Sequence, residues 1–132
     1  VRYGVMHQNT FLQSPKLLDK YYADRRNPLV AFAGQMTGVE GYVESTASGY
    51  LAAVAMAAKV QEREVPDFPK ETAIGALGQY VSDESIENFQ PMNINFSIIA
   101  PLEKRIRKKA EKNLAIATRS LDVIDRLVAK GI

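Results

Sequence analysis

The chain has 132 residues, 46% of them hydrophobic, enough for one core and too few for two independent domains. It holds no cysteine and one histidine, which excludes disulfides, thiolate metal sites, cysteine nucleophiles and histidine-rich metal centres within it. The net charge of +2 is unevenly spread: residues 1–100 carry eight basic and eleven acidic side chains, residues 101–132 nine and four, a basic end on a mildly acidic body.

The opening VRYGVMHQNT is polar and lacks the hydrophobic segment of a leader. The uncharged run 45–58 contains serine, threonine and glycine and is short for a membrane span. A cytoplasmic chain with no membrane partner and no metal is the expectation.

In chain order, residues 1–10 read as extended, with Tyr3, Val5 and His7 on one side of a pleat. Residues 11–28 read as irregular, flanked by the turn signals Ser14-Pro15 and Asn27-Pro28. Residues 29–33 (LVAFA) form a short apolar run, the pattern of a parallel strand buried on both faces, and it stops at Gly34. Thr37-Gly38-Val39-Glu40 then fits a capping box opening a helix that runs to about Glu64. Gly41, Ser45, Ser48, Ala52 and Ala55 make a small-residue ridge on that helix, for close approach to a sheet or for packing alone.

Pro66 and Pro69 end it, and residues 71–81 show a second helical pattern weakened by two glycines. Residues 93–98 (NINFSI) alternate as a short strand. Pro101 is placed as the first residue of a terminal helix, with an apolar stripe at Leu102, Ile106, Ala110, Leu114, Ala117, Leu121, Ile124 and Val128. Lys104, Arg107 and Lys108 share a different face of it. The expected fold is α/β and α-rich, with a few short strands, a long helix entered through a glycine turn and a terminal helix.

The stretch FAGQMTGVEGYVESTASG, residues 32–49, carries the chemistry. A strand, a glycine turn and a helix start place backbone amides and the positive end of a helix dipole where open α/β folds bind ligands. That points to an anionic or electron-accepting group, such as a pyrophosphate or the edge of a flavin; an ordinary strand-to-helix turn is the alternative. The spacing G-x-x-x-G-x-x-G is not the dinucleotide fingerprint G-x-G-x-x-G, which occurs nowhere in the chain.

The same stretch resembles the second flavin-contacting motif of the folate- and FAD-dependent tRNA (uracil-5-)-methyltransferases. The resemblance continues through VMHQNTFLQSPKLL, FPKETAIGALGQYV, NFQPMNINFSIIAPLEKRIRKK and the terminal helix. The related tRNA-uridine carboxymethylaminomethyl-modifying flavoproteins are similar at F-A-G-Q and the Gly-Tyr pair, and not across NFQPMNINF. What the resemblance implies is the carboxy-terminal segment of a FAD-binding Rossmann-like fold. Residues 1–64 would be the flavin-contacting segment and residues 65–132 a helical region ending in a basic helix.

The implied parent methylates C5 of a T-loop uridine, forming ribothymidine. It takes the one-carbon unit from methylenetetrahydrofolate, with FAD as cofactor and NAD(P)H as reductant. The implied partners are tRNA, folate and an amino-terminal part carrying the dinucleotide motif and the catalytic cysteines. No catalytic residue is expected in this segment, which alone would be inactive, and apolar surface left uncovered would favour self-association.

By position, the resemblance puts Gly34, Gln35 and Met36 beside the flavin, with Gly38, Val39, Glu40, Gly41 and Tyr42 presenting the helix start to it. Glu40 is read either as a cap or as a carboxylate touching the flavin, and Tyr42 either as a stacking ring or as packing. His7 and Asn9 are expected contacts to folate or flavin. Lys104, Arg105, Arg107 and Lys108 are expected to neutralise tRNA phosphates, a solvated face being the alternative. A noncatalytic helical module that binds RNA or a partner chain through its basic end is the reading from a different functional class.

Overall fold

The computed structural model describes residues 10–132. The first helix, α1 (Ser14–Leu17), takes Pro15 into its first turn, where the missing amide costs nothing, and ends as Leu18 turns extended. The Asp19 carboxylate then accepts from the amides of Tyr21 at 2.8 Å and Ala23 at 3.0 Å, reversing the chain through Tyr22 at a φ of 63°. Isolated antiparallel bridges, Leu18 to Asp24 and Ala23 to Ala31, stitch this segment over the fully buried Leu18 and Tyr22.

Residues 29–33 do not form the expected buried parallel strand. Ala31 makes one antiparallel bridge, while Leu29 and Val30 are 69% and 40% exposed. A strand buried on both faces needs a paired neighbour on each side. The described residues supply one bridge partner.

The long helix, α2 (Tyr42–Val60), starts later and ends earlier than the capping box implies. Thr37 closes a 3-10 turn (Gln35–Thr37), and its hydroxyl donates to the Gly34 carbonyl at 2.7 Å instead of accepting from a helix amide. Gly38, inside the expected box, and Gly41, just after it, hold φ of 89° and 100°, which breaks helical geometry there. Of the small-residue ridge, Ser48, Ala52 and Ala55 are buried, together with Leu51 and Ala58. The neighbour of α2 is not a sheet but the next helix, α3 (Ala73–Val81).

Thr72 caps α3, its hydroxyl accepting from the Gly75 amide at 3.0 Å, an arrangement worth about 1 kcal/mol. Gly75, a weak helix former, sits where a Cβ would overlap the carbonyls of Phe68 and Pro69. Tyr22, Val39, Leu51, Phe68, Leu77, Val81 and Phe89 form the main cluster, so residues on both sides of position 64 share one core. Each fully buried leucine or valine there contributes about 1.5–3 kcal/mol.

Residues 93–98 are likewise not a strand. Met92 makes one parallel bridge to Val39, after which the Asn95 side chain accepts from the Ser97 amide at 2.9 Å and turns the chain.

The terminal helix, α4 (Lys109–Ala129), begins at Lys109 and not at Pro101. Arg119 donates to the carbonyls of Pro101, at 2.8 Å, and Ala100, holding that segment against the side of α4. A start at Pro101 would also set Lys104 and Arg105 at the positive end of the dipole; the observed first turn contains Glu111 instead. The expected stripe holds only in part, with Leu102 and Ile124 packed against the buried clusters. Ile116 is the buried residue, joining Ala76 and Ile99 in a second cluster, and Leu114, Leu121 and Val128 are exposed. Among the described residues, no helix is long and apolar enough to cross a membrane.

Candidate functional site

The glycine turn is held from beneath by residues 89–94. A Cβ on Gly38 would overlap the Phe89 ring, which is buried. One on Gly41 would overlap the Glu44 carboxylate and lie 3.0 Å from Asn93 Nδ2. The same groups make hydrogen bonds across the turn. Asn93 Nδ2 donates to the Glu40 carbonyl at 2.9 Å, Glu44 Oε1 accepts from the Ile94 amide at 3.1 Å, and the Glu40 amide donates to Met92 at 3.0 Å. Two of the glycines are therefore required by the protein's own side chains. Gly34 differs: its amide donates to Ser48 Oγ at 2.8 Å, and an added Cβ would find nothing nearer than Ser45 Cβ at 3.8 Å.

No side chain caps α2, so its first amides remain for solvent or a ligand. Tyr42, the first helical residue, is 95% exposed, and Gln35, Met36 and Gly41 are exposed too. Gly34 and Glu40 are partly so, whereas Gly38 and Val39 are buried beneath and support the turn. The capping role considered for Glu40 does not hold, since α2 has no side-chain cap. An exposed aromatic ring at the head of an uncapped helix fits a flat ring with an acceptor edge, or an anion. The expected contacts His7 and Asn9 lie outside the described residues.

The second feature is a cleft of about 1080 Å³ between residues 96–107 and the start of α4. Lys104, Arg105, Arg107, Lys109 and Lys112 line it, with Glu103 as the acid on its wall and Phe96 beside them. Among the described residues none of these five cations is in an ion pair. Three of the four residues expected to meet phosphates are thus brought together. They meet in a loop and not on a helical face, because Lys104, Arg105 and Arg107 precede α4. Lys108 is not brought in: its ammonium is 3.1 Å from Glu111, and it does not line the cleft. Phe96 was not singled out from sequence, and Lys109 and Lys112, members of the same cationic cluster over residues 104–112, were not among the four expected to meet phosphates. The continuation of the cationic run past position 108 was the available signal for the lysines. Among the described residues no cluster of His, Cys, Asp and Glu is placed to hold a metal ion.

The family model described as Glucose inhibited division protein A matches residues 1–64, which include the glycine turn. The chain is 54% identical over 128 residues to the methylenetetrahydrofolate–tRNA-(uracil-5-)-methyltransferase TrmFO of Bacillus cereus, covering 97% of this chain. The enzymes of that name from Acetivibrio thermocellus and Natranaerobius thermophilus are 52% identical over 130 residues and 51% identical over 132 residues, 98% and 100% of this chain. By sequence, this chain is similar over nearly its whole length to enzymes named TrmFO. It spans about 30% of the length of the curated TrmFO relatives it matches. The TrmFO matches extend over nearly the whole chain, taking in the basic cleft as well as the turn.

Proposed function

We propose that this chain is the carboxy-terminal part of a tRNA-modifying flavoenzyme that methylates C5 of a T-loop uridine, with methylenetetrahydrofolate as donor and NAD(P)H as reductant. The observation that carries this reading is the identity of 51–54% to proteins bearing that name, sustained over 97–100% of the chain. FAD, when bound, supplies the electrons that reduce the transferred one-carbon group. Gln35, Met36, Gly41 and Tyr42, with the partly exposed Gly34 and Glu40, form the rim on which the flavin ring would sit. The uncapped amides of α2 would face its electron-accepting edge. The clamp of Phe89, Asn93 and Glu44 keeps that rim in one conformation, so that little ordering remains to be done on binding. The unpaired cations of the cleft hold tRNA phosphates. The catalytic cysteines belong to the amino-terminal part.

The test uses the full-length enzyme that carries this segment. Purified protein is assayed for bound FAD and for 5-methyluridine formed in unmodified tRNA with methylenetetrahydrofolate and NAD(P)H. Folate-dependent 5-methyluridine at the T-loop position is expected; modification elsewhere on the base, or none from a flavin-loaded enzyme, overturns the reading. The isolated 132-residue chain is expected to bind FAD no tighter than about micromolar, because it lacks the dinucleotide fingerprint.

A further inference from the structure

Phe96 stands out in the basic cleft because it is 46% exposed while its apolar neighbours are turned inward. Ile99 is buried in the cluster with Ala76 and Ile116, and Ile94 and Ile98 pack against it. Phe96 also lines an apolar depression of about 520 Å³, with Ala73, Ile99, Ile116, Ala117 and Leu121. Phe96 lines the cationic cleft as well. Burial would favour folding the ring fully into the depression. The Asn95 turn that accepts from Ser97 instead leaves Phe96 exposed on the wall of the cleft that Lys104, Arg105, Arg107, Lys109 and Lys112 also line.

An exposed phenyl group in a cleft that unpaired cations also line is matched by a ligand with flat aromatic faces joined through anionic links. Single-stranded RNA has that chemistry: a base whose face is free can stack on the ring while the phosphates on either side reach the cations. A continuous duplex does not, because its base faces are covered by their neighbours. An acidic peptide satisfies the cations and leaves the ring unused.

We infer that Phe96 is a stacking platform for one unstacked base of an RNA loop whose flanking phosphates lie on Lys104, Arg105, Arg107, Lys109 and Lys112. This deepens the reading of the cleft as the tRNA-binding part of the enzyme and rests on it. Stacking tolerates every base, so the platform selects unpaired nucleotides without selecting a sequence.

Three variants of the full-length enzyme, Phe96→Leu, Phe96→Tyr and Lys104→Gln/Arg107→Gln, test the inference. Leucine keeps the apolar contact with the depression and removes the π-face, and tyrosine keeps the π-face. Affinities are measured for oligouridylate, for inorganic polyphosphate of similar charge and for poly-glutamate, with melting temperature followed throughout. Phe96→Leu is expected to weaken oligouridylate about tenfold while leaving polyphosphate and the salt dependence unchanged, and Phe96→Tyr to bind as the parent does. The double glutamine variant should weaken both polyanions.

Unchanged oligouridylate affinity in Phe96→Leu overturns the platform and leaves RNA binding by the cations intact. Equal loss for oligouridylate and polyphosphate, accompanied by a lower melting temperature, makes the ring a packing residue and also overturns it. Poly-glutamate that binds as tightly as oligouridylate and is equally sensitive to Phe96→Leu replaces the RNA with an acidic protein partner. Unchanged affinity for both polyanions in the glutamine variant removes the RNA reading of the cleft itself.

Discussion

The glycine turn and the basic cleft are joined by one stretch of chain, residues 89–107, and are built in opposite ways. At the turn almost every constraint is internal. Gly38 lies against Phe89, Gly41 against Glu44 and Asn93, and three hydrogen bonds cross from residues 40–44 to residues 92–94. At the cleft five cations converge without a carboxylate partner among the described residues. Like charges brought together, with Glu103 as the one acid on the cleft wall, oppose folding. The turn is therefore explained by the fold that contains it. The cleft has no such internal account, and this separates residues that shape a site from residues left free to meet solvent or a ligand.

The largest expected effect is on stability at the turn. Gly38→Ala puts a methyl group into the Phe89 ring and an L-residue at a φ of 89°. Overpacking and left-handed strain together should cost about 2–4 kcal/mol by urea denaturation. Phe89→Leu in the same chain should recover part of that loss, since the two sites touch. A cost below about 0.5 kcal/mol, the range of an ordinary surface change, would mean that the clamp is loose and the internal account of the glycines is wrong.

The next effect belongs to the cleft and should appear as a loss in binding alone. Changing Lys104, Arg105 and Arg107 to glutamine in the full-length enzyme should lower the log–log salt slope of tRNA affinity by about 0.7–0.9 for each phosphate no longer neutralised. Melting temperature should not fall, and should rise slightly as the repulsion is relieved, because none of the three is in an ion pair among the described residues. An unchanged slope would return this surface to the solvent and erase the contrast with the turn. Smaller again is Asn93→Ala, which removes the hydrogen bond to the Glu40 carbonyl. It should cost about 0.5–1.5 kcal/mol and reduce bound flavin in the full-length enzyme. Full flavin occupancy in that variant would show that the turn keeps its shape without the clamp.

Legibility in the sequence divides in the same way, between local and distant causes. The apolar spacing within residues 71–81 marked α3, and the long run of small and apolar residues marked α2, because periodicity acts within a few residues. The start of α4 was not legible. It depends on Arg119 reaching back to the carbonyls of Ala100 and Pro101, a contact between residues distant in sequence. Residues 29–33 and 93–98 read as strands because their composition is that of strands, but a strand exists only through its neighbours, and here each segment or its edge finds single bridges. The capping box failed for a subtler reason: its residues are correctly spaced, while two positive-φ glycines lie in or beside it. For the sites, the cationic run announced the cleft, but the placement of Phe96 within it depended on the turn at Asn95.

The smallest expected effect tests whether the packed half is held by shape more than by polar bonds. Tyr22 is fully buried in the core with Val39, and its hydroxyl has no hydrogen-bond partner among the described residues. Tyr22→Phe keeps the ring and leaves the φ of 63° as it is, so strain is common to both proteins and cancels. Removing a buried hydroxyl without a partner should raise stability by about 0.5–1 kcal/mol at neutral pH. Burial holds that hydroxyl neutral well above the ordinary phenol value of 10.0. The folded state thus keeps a proton that the unfolded chain releases above pH 10.0, and the stability Tyr22 contributes is intact below that pH and declines as pH rises through it. Tyr21 and Tyr80 are also raised by burial, but they are present in both proteins. The advantage of Tyr22→Phe should therefore widen between pH 7 and pH 11 in paired urea titrations. A variant less stable than the parent at pH 7 would mean that the hydroxyl has a partner, and that polar bonding supports this core as well as shape.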